Sequence, residues 1–191
     1  VGKKMSADSF KDVRRSGLIA IRLDKDDALK SALLVEKGDD VLLGSNNGQS
    51  IRFKESDIRE MGRSAGGVRA ISLGKGDSVV SVDAIRKGDN DGSFLVMSEN
   101  GLGKKTSIKE YKVQKRGGSG VLTAKITPKT GKLIIGKIVK SEGEGEMVAI
   151  SKKGQVIRVE LSAIPSLGRQ TQGVTVMKLR AGDTIASLTI L

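Results

Sequence analysis

The sequence predicts an all-β protein built as an array of similar blades, and three observations carry that prediction. Segments recur at a fixed period, apolar residues alternate with polar ones in short runs, and no long stretch has the 3.6-residue period of a helix. Gly17, Gly67, Gly120 and Gly173 open the runs GLIAIRL, GVRAISL, GVLTAKI and GVTVMKL at spacings of 50, 53 and 53 residues. Proline occurs only twice in 191 residues. Regular repetition of short strands suits a propeller-like architecture.

Each unit begins with a hairpin such as DDVLLGSNNGQSIRF. Its turn glycine recurs as Gly48, Gly101 and Gly154, 53 residues apart. Asn-Gly between apolar runs predicts a type I′ turn. A polar segment follows, KESDIREM in one repeat, where a short helical turn is expected. It carries an apolar anchor: Ile58, Tyr111 and Ile164 each lie nine residues before the strand-opening glycine. Phe10 stands seven residues before Gly17, which accounts for the shorter first spacing. Strands such as GVRAISL and SVVSVDAI complete a four-stranded repeat. The repeats run over about 1–38, 39–88, 89–141 and 142–191. Val1 begins just before GKKM, the second half of a hairpin, so a cut fragment, or a ring closed by pairing the two ends, is expected.

Composition narrows the function. With no cysteine and no histidine, the chain assembles no disulfide framework, no Ser-His-Asp or Cys-His constellation and no His- or Cys-based zinc site. Neither a cofactor nor a metal is expected. GDNDG at Gly88 to Gly92 lacks the spacing and terminal glutamate of an EF-hand, and NGLGKKT lacks the spacing of a phosphate-binding Walker loop. Tyr111 occupies the position of Ile58 and Ile164, which makes it an apolar anchor rather than a nucleophile. Apolar runs such as LIIG and SLTIL fall far short of the roughly 20 residues of a spanning helix, so a soluble, cytoplasmic protein without a membrane partner is expected. Lys and Arg number 34 against 22 Asp and Glu, a formal charge of +12. Such an excess favours an anionic partner. Aromatic residues make up 2% of the chain, too few to stack single-stranded bases, whereas a reader of duplex backbone needs none.

The cations follow the repeat. Lys4, Arg52, Lys105 and Arg158 fall just after the hairpin turn. Arg22, Lys125 and Lys178 fall five residues beyond their glycines, with Ser72 breaking the series. Arg63, Arg116 and Arg169 fall four residues before. Residues in phase land on one rim if the blades turn about an axis, and a basic rim suits a curved phosphate backbone.

IRFKESDIREMGRSAGGVRAISLGKGDSVVSV and IPSLGRQTQGVTVMKL resemble the C-terminal domain of the A subunit of bacterial DNA gyrase, a type IIA topoisomerase, and the resemblance runs along essentially the whole chain. It implies a β-pinwheel, usually of six blades with strand exchange between neighbours, whose basic perimeter binds, bends and wraps double-stranded DNA without sequence specificity. It also implies an accessory domain without catalytic residues. Its partners would be the remaining domains of the gyrase A subunit, with the B subunit, in an A2B2, ATP-dependent holoenzyme that introduces negative supercoils. QKRGGSG looks like the family's box, usually Gln, a variable or Arg residue, Arg, two Gly, Lys, Gly. Gln114, Arg116, Gly117, Gly118 and Gly120 fit, and Ser119 replaces the lysine. In the family the box lies in the first blade, whereas this copy lies in the third repeat, so the chain reads as about the last four blades of six. The loop is either a phosphate contact or a flexible inter-blade turn. Candidate DNA contacts are Lys4, Arg22, Arg52, Arg63, Lys105, Gln114, Lys115, Arg116, Gly117, Gly118, Lys125, Arg158, Arg169 and Lys178. The equivalent domain of topoisomerase IV, or a propeller that binds another protein, are the alternatives.

Overall fold

Hairpins seed the blades of the computed structural model, which describes residues 1–140 and 144–191; the expected repeat boundary at 141/142 lies outside the described residues. The strands are β1 (Asp40–Ser45), β2 (Gln49–Lys54), β3 (Val79–Ile85), β4 (Gly92–Ser98), β5 (Leu102–Ser107), β6 (Val121–Leu122), β7 (Leu133–Lys140), β8 (Glu146–Ser151), β9 (Val156–Glu160), β10 (Val174–Thr175) and β11 (Ile185–Ile190). They form antiparallel sheets in the orders β3-β1-β2-β6, β7-β4-β5-β10 and β11-β8-β9. β6 belongs to the repeat after its sheet, as does β10, so neighbouring blades exchange strands. Among the described residues no helix is long and apolar enough to cross a membrane.

The hairpin turns differ from the type I′ expectation. That type needs positive φ at both central residues, yet Asp26 is the only non-glycine with positive φ among the described residues. Instead Gly48, Gly101 and Gly154 donate to Ser45, Ser98 and Ser151 three residues back, and each glycine takes the left-handed conformation. This is a three-residue loop with the glycine at its bulge. The expected helical turns are present as single 3-10 turns at Ala7–Phe10, Glu55–Asp57, Ile108–Glu110 and Leu161–Ala163. Ile58, Tyr111 and Ile164 follow them and are buried. Tyr111 meets Phe94 edge-on, with ring centroids 5.7 Å apart, and its hydroxyl bonds Thr123 Oγ1 at 2.5 Å.

Apolar side chains collect between successive blades. Leu42 and Ile85 of one sheet pack with Phe94, Val96 and Leu133 of the next and with Ile108 of the 3-10 turn. Leu95, Met97 and Val139 pack in turn with Met147, Ala149 and Ile185. β4, GSFLVMS, is buried along its whole length, which explains why its apolar run does not alternate.

Two strand expectations are corrected. The runs after Gly67, Gly120 and Gly173 are not full strands: Val68 makes one bridge to Gly2, and β6 and β10 are two residues long. Each crosses from its own repeat to the neighbouring hairpin and touches it only briefly. Residues 11–39 form no strand. In the other repeats a strand in the position of residues 29–36 pairs with the first hairpin strand. Gly2 pairs with Val68, and Leu191 exchanges backbone bonds with Glu146.

Candidate nucleic-acid interface

The strand-opening glycines explain how the inter-blade loops are held. Gly120 has φ +74°, and a Cβ there would lie 2.1 Å from the Ser50 carbonyl oxygen of β2. Only glycine lets the incoming backbone lie so close to the hairpin it joins. Ahead of it, the Gly117 amide donates to Ala70 O (2.7 Å), and the Ser72 amide donates to Gly118 O (2.8 Å). The loop from Gln114 to Gly120 is thereby fixed across a blade junction, with the Gln114 amide on Arg52 O at 2.8 Å.

Three of the four cations just after the hairpin turn, Lys4, Arg52 and Lys105, face inward onto protein carbonyls instead of out onto a solvent-facing rim. Lys4 Nζ donates to Glu55 O at 3.2 Å, Arg52 NH1 to Ile108 O at 3.2 Å, and Lys105 Nζ to Leu161 O at 2.6 Å. The acceptors are the first residues of successive 3-10 turns, 53 residues apart. One cation therefore clasps the next repeat's turn at each of three junctions. Arg52 is fixed further by Asp40 at 2.7 Å, and the Lys4 ammonium, hydrogen-bonded to the Glu55 carboxylate, holds that carboxyl below its usual range. Lys105 is 4% exposed, and burial pushes its ammonium down. Arg158, the fourth member, is paired with Glu146 on the exposed face of its hairpin.

The arginines before the glycines divide. Arg116 donates from Nε to Asp57 O and from NH1 to Arg69 O, both at 2.8 Å, so the box arginine staples its loop to the preceding blade. Arg169 repeats this with NH1 on Leu122 O at 3.1 Å, beside Glu110. Arg63 is exposed and, with Ile19, Arg22 and Ser64, lines a shallow opening. Arg22, Lys115, Lys125 and Lys178 are exposed as well. Gly118 is exposed, its φ is not left-handed, and its ideal Cβ would find its nearest neighbour, Ile51 Cδ1, at 3.8 Å. Neither packing nor conformation requires a glycine there.

Sequence reasoning missed Lys104. This residue of β5 is 1% exposed and drives Nζ into the loop of the fourth repeat, donating to Gly168 O (2.6 Å), Arg169 O (2.7 Å) and Thr171 Oγ1 (3.0 Å). A usable signal is present, since the equivalent residues 53 away on either side are Ile51 and Ile157. Burial pushes the Lys104 ammonium down to about 8; Glu110 opposes the push and Arg169 adds to it. Burial also pushes the Tyr111 phenol up to about 12. Between about 8 and 10.5 the unfolded chain holds more protons at Lys104 than the folded one, so stability rises with pH. Between 10.0 and about 12 the folded chain holds the extra proton at Tyr111, so stability falls. Denaturant midpoints from pH 7 to 11.5 are expected to peak near pH 10. Lys104→Met should flatten the rising arm and Tyr111→Phe the falling one; unchanged arms would contradict these assignments.

The comparisons with known proteins agree with this geometry. A family model described as DNA gyrase C-terminal domain, beta-propeller, matches residues 1–36, 39–86, 92–140 and 145–191. The chain is 37% identical over 186 residues to the DNA gyrase A subunit of Staphylococcus epidermidis, covering 97% of this chain and 20% of that protein. It is 39% identical over 188 residues to the DNA gyrase A subunit of Mycobacterium tuberculosis, covering 97% and 22%. It therefore spans about a fifth of the length of these relatives. A solved DNA gyrase A C-terminal domain superposes with a TM-score of 0.83 at 28% identity, covering 92% of this chain and 58% of that one. The C-terminal domain of a DNA topoisomerase IV superposes at 0.89 over 99% of this chain and 58% of that one, and at 23% identity it speaks for the fold alone. With a family match in every repeat, on strand-exchanged blades bridged by in-phase cations, the chain belongs to the DNA gyrase C-terminal domain family.

Proposed function

We propose that the chain is a non-catalytic module that binds duplex DNA through its phosphates and bends it around the rim formed by the inter-blade loops. In this reading it serves a DNA gyrase in wrapping DNA for negative supercoiling, alongside the remaining domains of the A subunit, with the B subunit. The observation that carries it is the division of labour among cations. Lys4, Arg52 and Lys105 clasp the blades together, whereas Arg22, Arg63, Lys115 and Lys125 remain exposed at or beside the junction loops and Lys178 is exposed at the equivalent position of the fourth repeat. The relatives at 37% and 39% identity are gyrase A subunits, which favours gyrase over topoisomerase IV as the parent. Coverage of 58% of each solved domain supports about four repeats out of six.

Cations that neutralise phosphates release counterions, so affinity falls steeply with salt and depends little on base sequence. Each contact contributes about −0.9 to the slope of log K against log salt, and these five cations together about −4.5. Equilibrium binding to several duplexes of unrelated sequence should therefore weaken roughly 500-fold for a fourfold rise in salt. Binding that tolerates salt, or that selects one sequence, would contradict a backbone-reading rim.

A further inference from the structure

Two positions bracket the loop at each blade junction. One lies five residues after a strand-opening glycine and packs beside the following repeat's loop: the Ser72 amide donates to Gly118 O at 2.8 Å, and the Lys125 amide to Thr171 O at 3.1 Å. Arg22 holds the same position at the first junction and lines one opening with Arg63 and Ser64. The other position lies within the loop, five residues before the glycine, and is occupied by Gly62, Lys115 and Gly168 in turn.

The pairing is reciprocal. The first junction has Arg22 with Gly62, the second Ser72 with Lys115, and the third Lys125 with Gly168. Where the strand side lacks its cation, the loop side supplies one. Nothing in the packing forces this: Gly62 and Gly168 are exposed, lie outside the left-handed region, and a Cβ on either would find open space. A lysine is therefore tolerated in every loop and is present only opposite Ser72. Arg22, Lys115 and Lys125 are exposed, and none of them is in an ion pair among the described residues. No local carboxylate accounts for their placement.

We propose, resting on the wrapping reading, that these two positions jointly provide one phosphate-contacting cation per junction, and that either side can supply it. Lys115 is then the counterpart of Lys125 and Arg22, although it stands at a different place in the repeat. A lysine stem spans several ångströms, so a charge rooted on either side of so tight a loop reaches the same stretch of backbone.

Reciprocal exchange tests this on the 191-residue chain with a duplex of arbitrary sequence. Lys115→Gly and Lys125→Ser should each make the salt slope shallower by about 0.9 and weaken binding roughly eightfold at about 0.1 M salt. Ser72→Lys should restore slope and affinity in the Lys115→Gly background, and Gly168→Lys in the Lys125→Ser background. Thermal midpoints should stay within about 2 °C of wild type, because all four sites are exposed. If the single variants lose a contact that the exchanged lysine does not regain, or lose none, this proposal falls while the wrapping reading stands. If the wild-type chain fails to bind duplex DNA at all, both fall.

Discussion

Gly120→Ala is expected to destabilise the chain by at least about 3 kcal/mol, whereas Gly118→Ala, two residues away, stays within about 0.5 kcal/mol of wild type. The contrast comes from the backbone. At Gly120 a side chain must occupy φ +74°, which costs about 1–2 kcal/mol for an L-residue. Its Cβ would also sit 2.1 Å from Ser50 O. That oxygen belongs to β2, whose Ser50 pairs with Val121 of β6, so relief of the clash pulls the exchanged strand away. The loss then spreads to the neighbouring contacts, since the amides of Thr123 and Ala124 both donate to Gly48 O and Ala124 belongs to the shared core. At Gly118 neither condition holds, and the added methyl reduces the freedom of the unfolded chain. Urea unfolding followed by far-ultraviolet circular dichroism distinguishes the two. Equal stability of both variants would mean that strand exchange at this junction contributes little.

Much of the fold is legible in the sequence because it is written several times. Gly67, Gly120 and Gly173, with Ile58, Tyr111 and Ile164 before them, mark equivalent points of equivalent blades, and a position shared by isoleucine and tyrosine is a core position. What periodicity does not convey is direction. Lys105 and Lys125 are both cations in phase with their counterparts, yet the first is turned inward onto Leu161 O and the second lies in water. A lysine has an apolar stem and a charged tip, so it serves a protein carbonyl across a junction as well as a phosphate outside it. The interface between repeats is as periodic as their surface. For the same reason QKRGGSGV reads equally as a phosphate loop or a turn; the structure divides it, with Arg116, Gly117 and Gly120 holding the junction and Lys115 and Gly118 exposed. The turn type is not legible in the same way, because Asn-Gly fits two hairpin geometries and sequence does not count the loop residues between paired strands.

Replacing Arg22, Arg63, Lys115, Lys125 and Lys178 together by serine is expected to abolish bending of duplex DNA while the blades stay folded. Bending a duplex around a rim costs several kcal/mol, offset only while contacts continue along the curved path. Five lost phosphate contacts correspond to about −4.5 of salt slope, more than enough to remove that compensation at moderate salt. The clasp cations provide the control, because Arg52→Met and Lys105→Met remove bonds to Ile108 O and Leu161 O and leave the exposed charges in place. Their effect falls on stability, with bending retained wherever the variants remain folded. The deciding measurement is energy transfer between dyes at the two ends of a duplex long enough to reach around the rim, titrated with the wild-type chain, the serine variant and the clasp variants at low salt. The account predicts high transfer for wild type and for the folded clasp variants, and none above free DNA for the serine variant. Undiminished transfer in the serine variant, or transfer lost in the folded clasp variants alone, would contradict it.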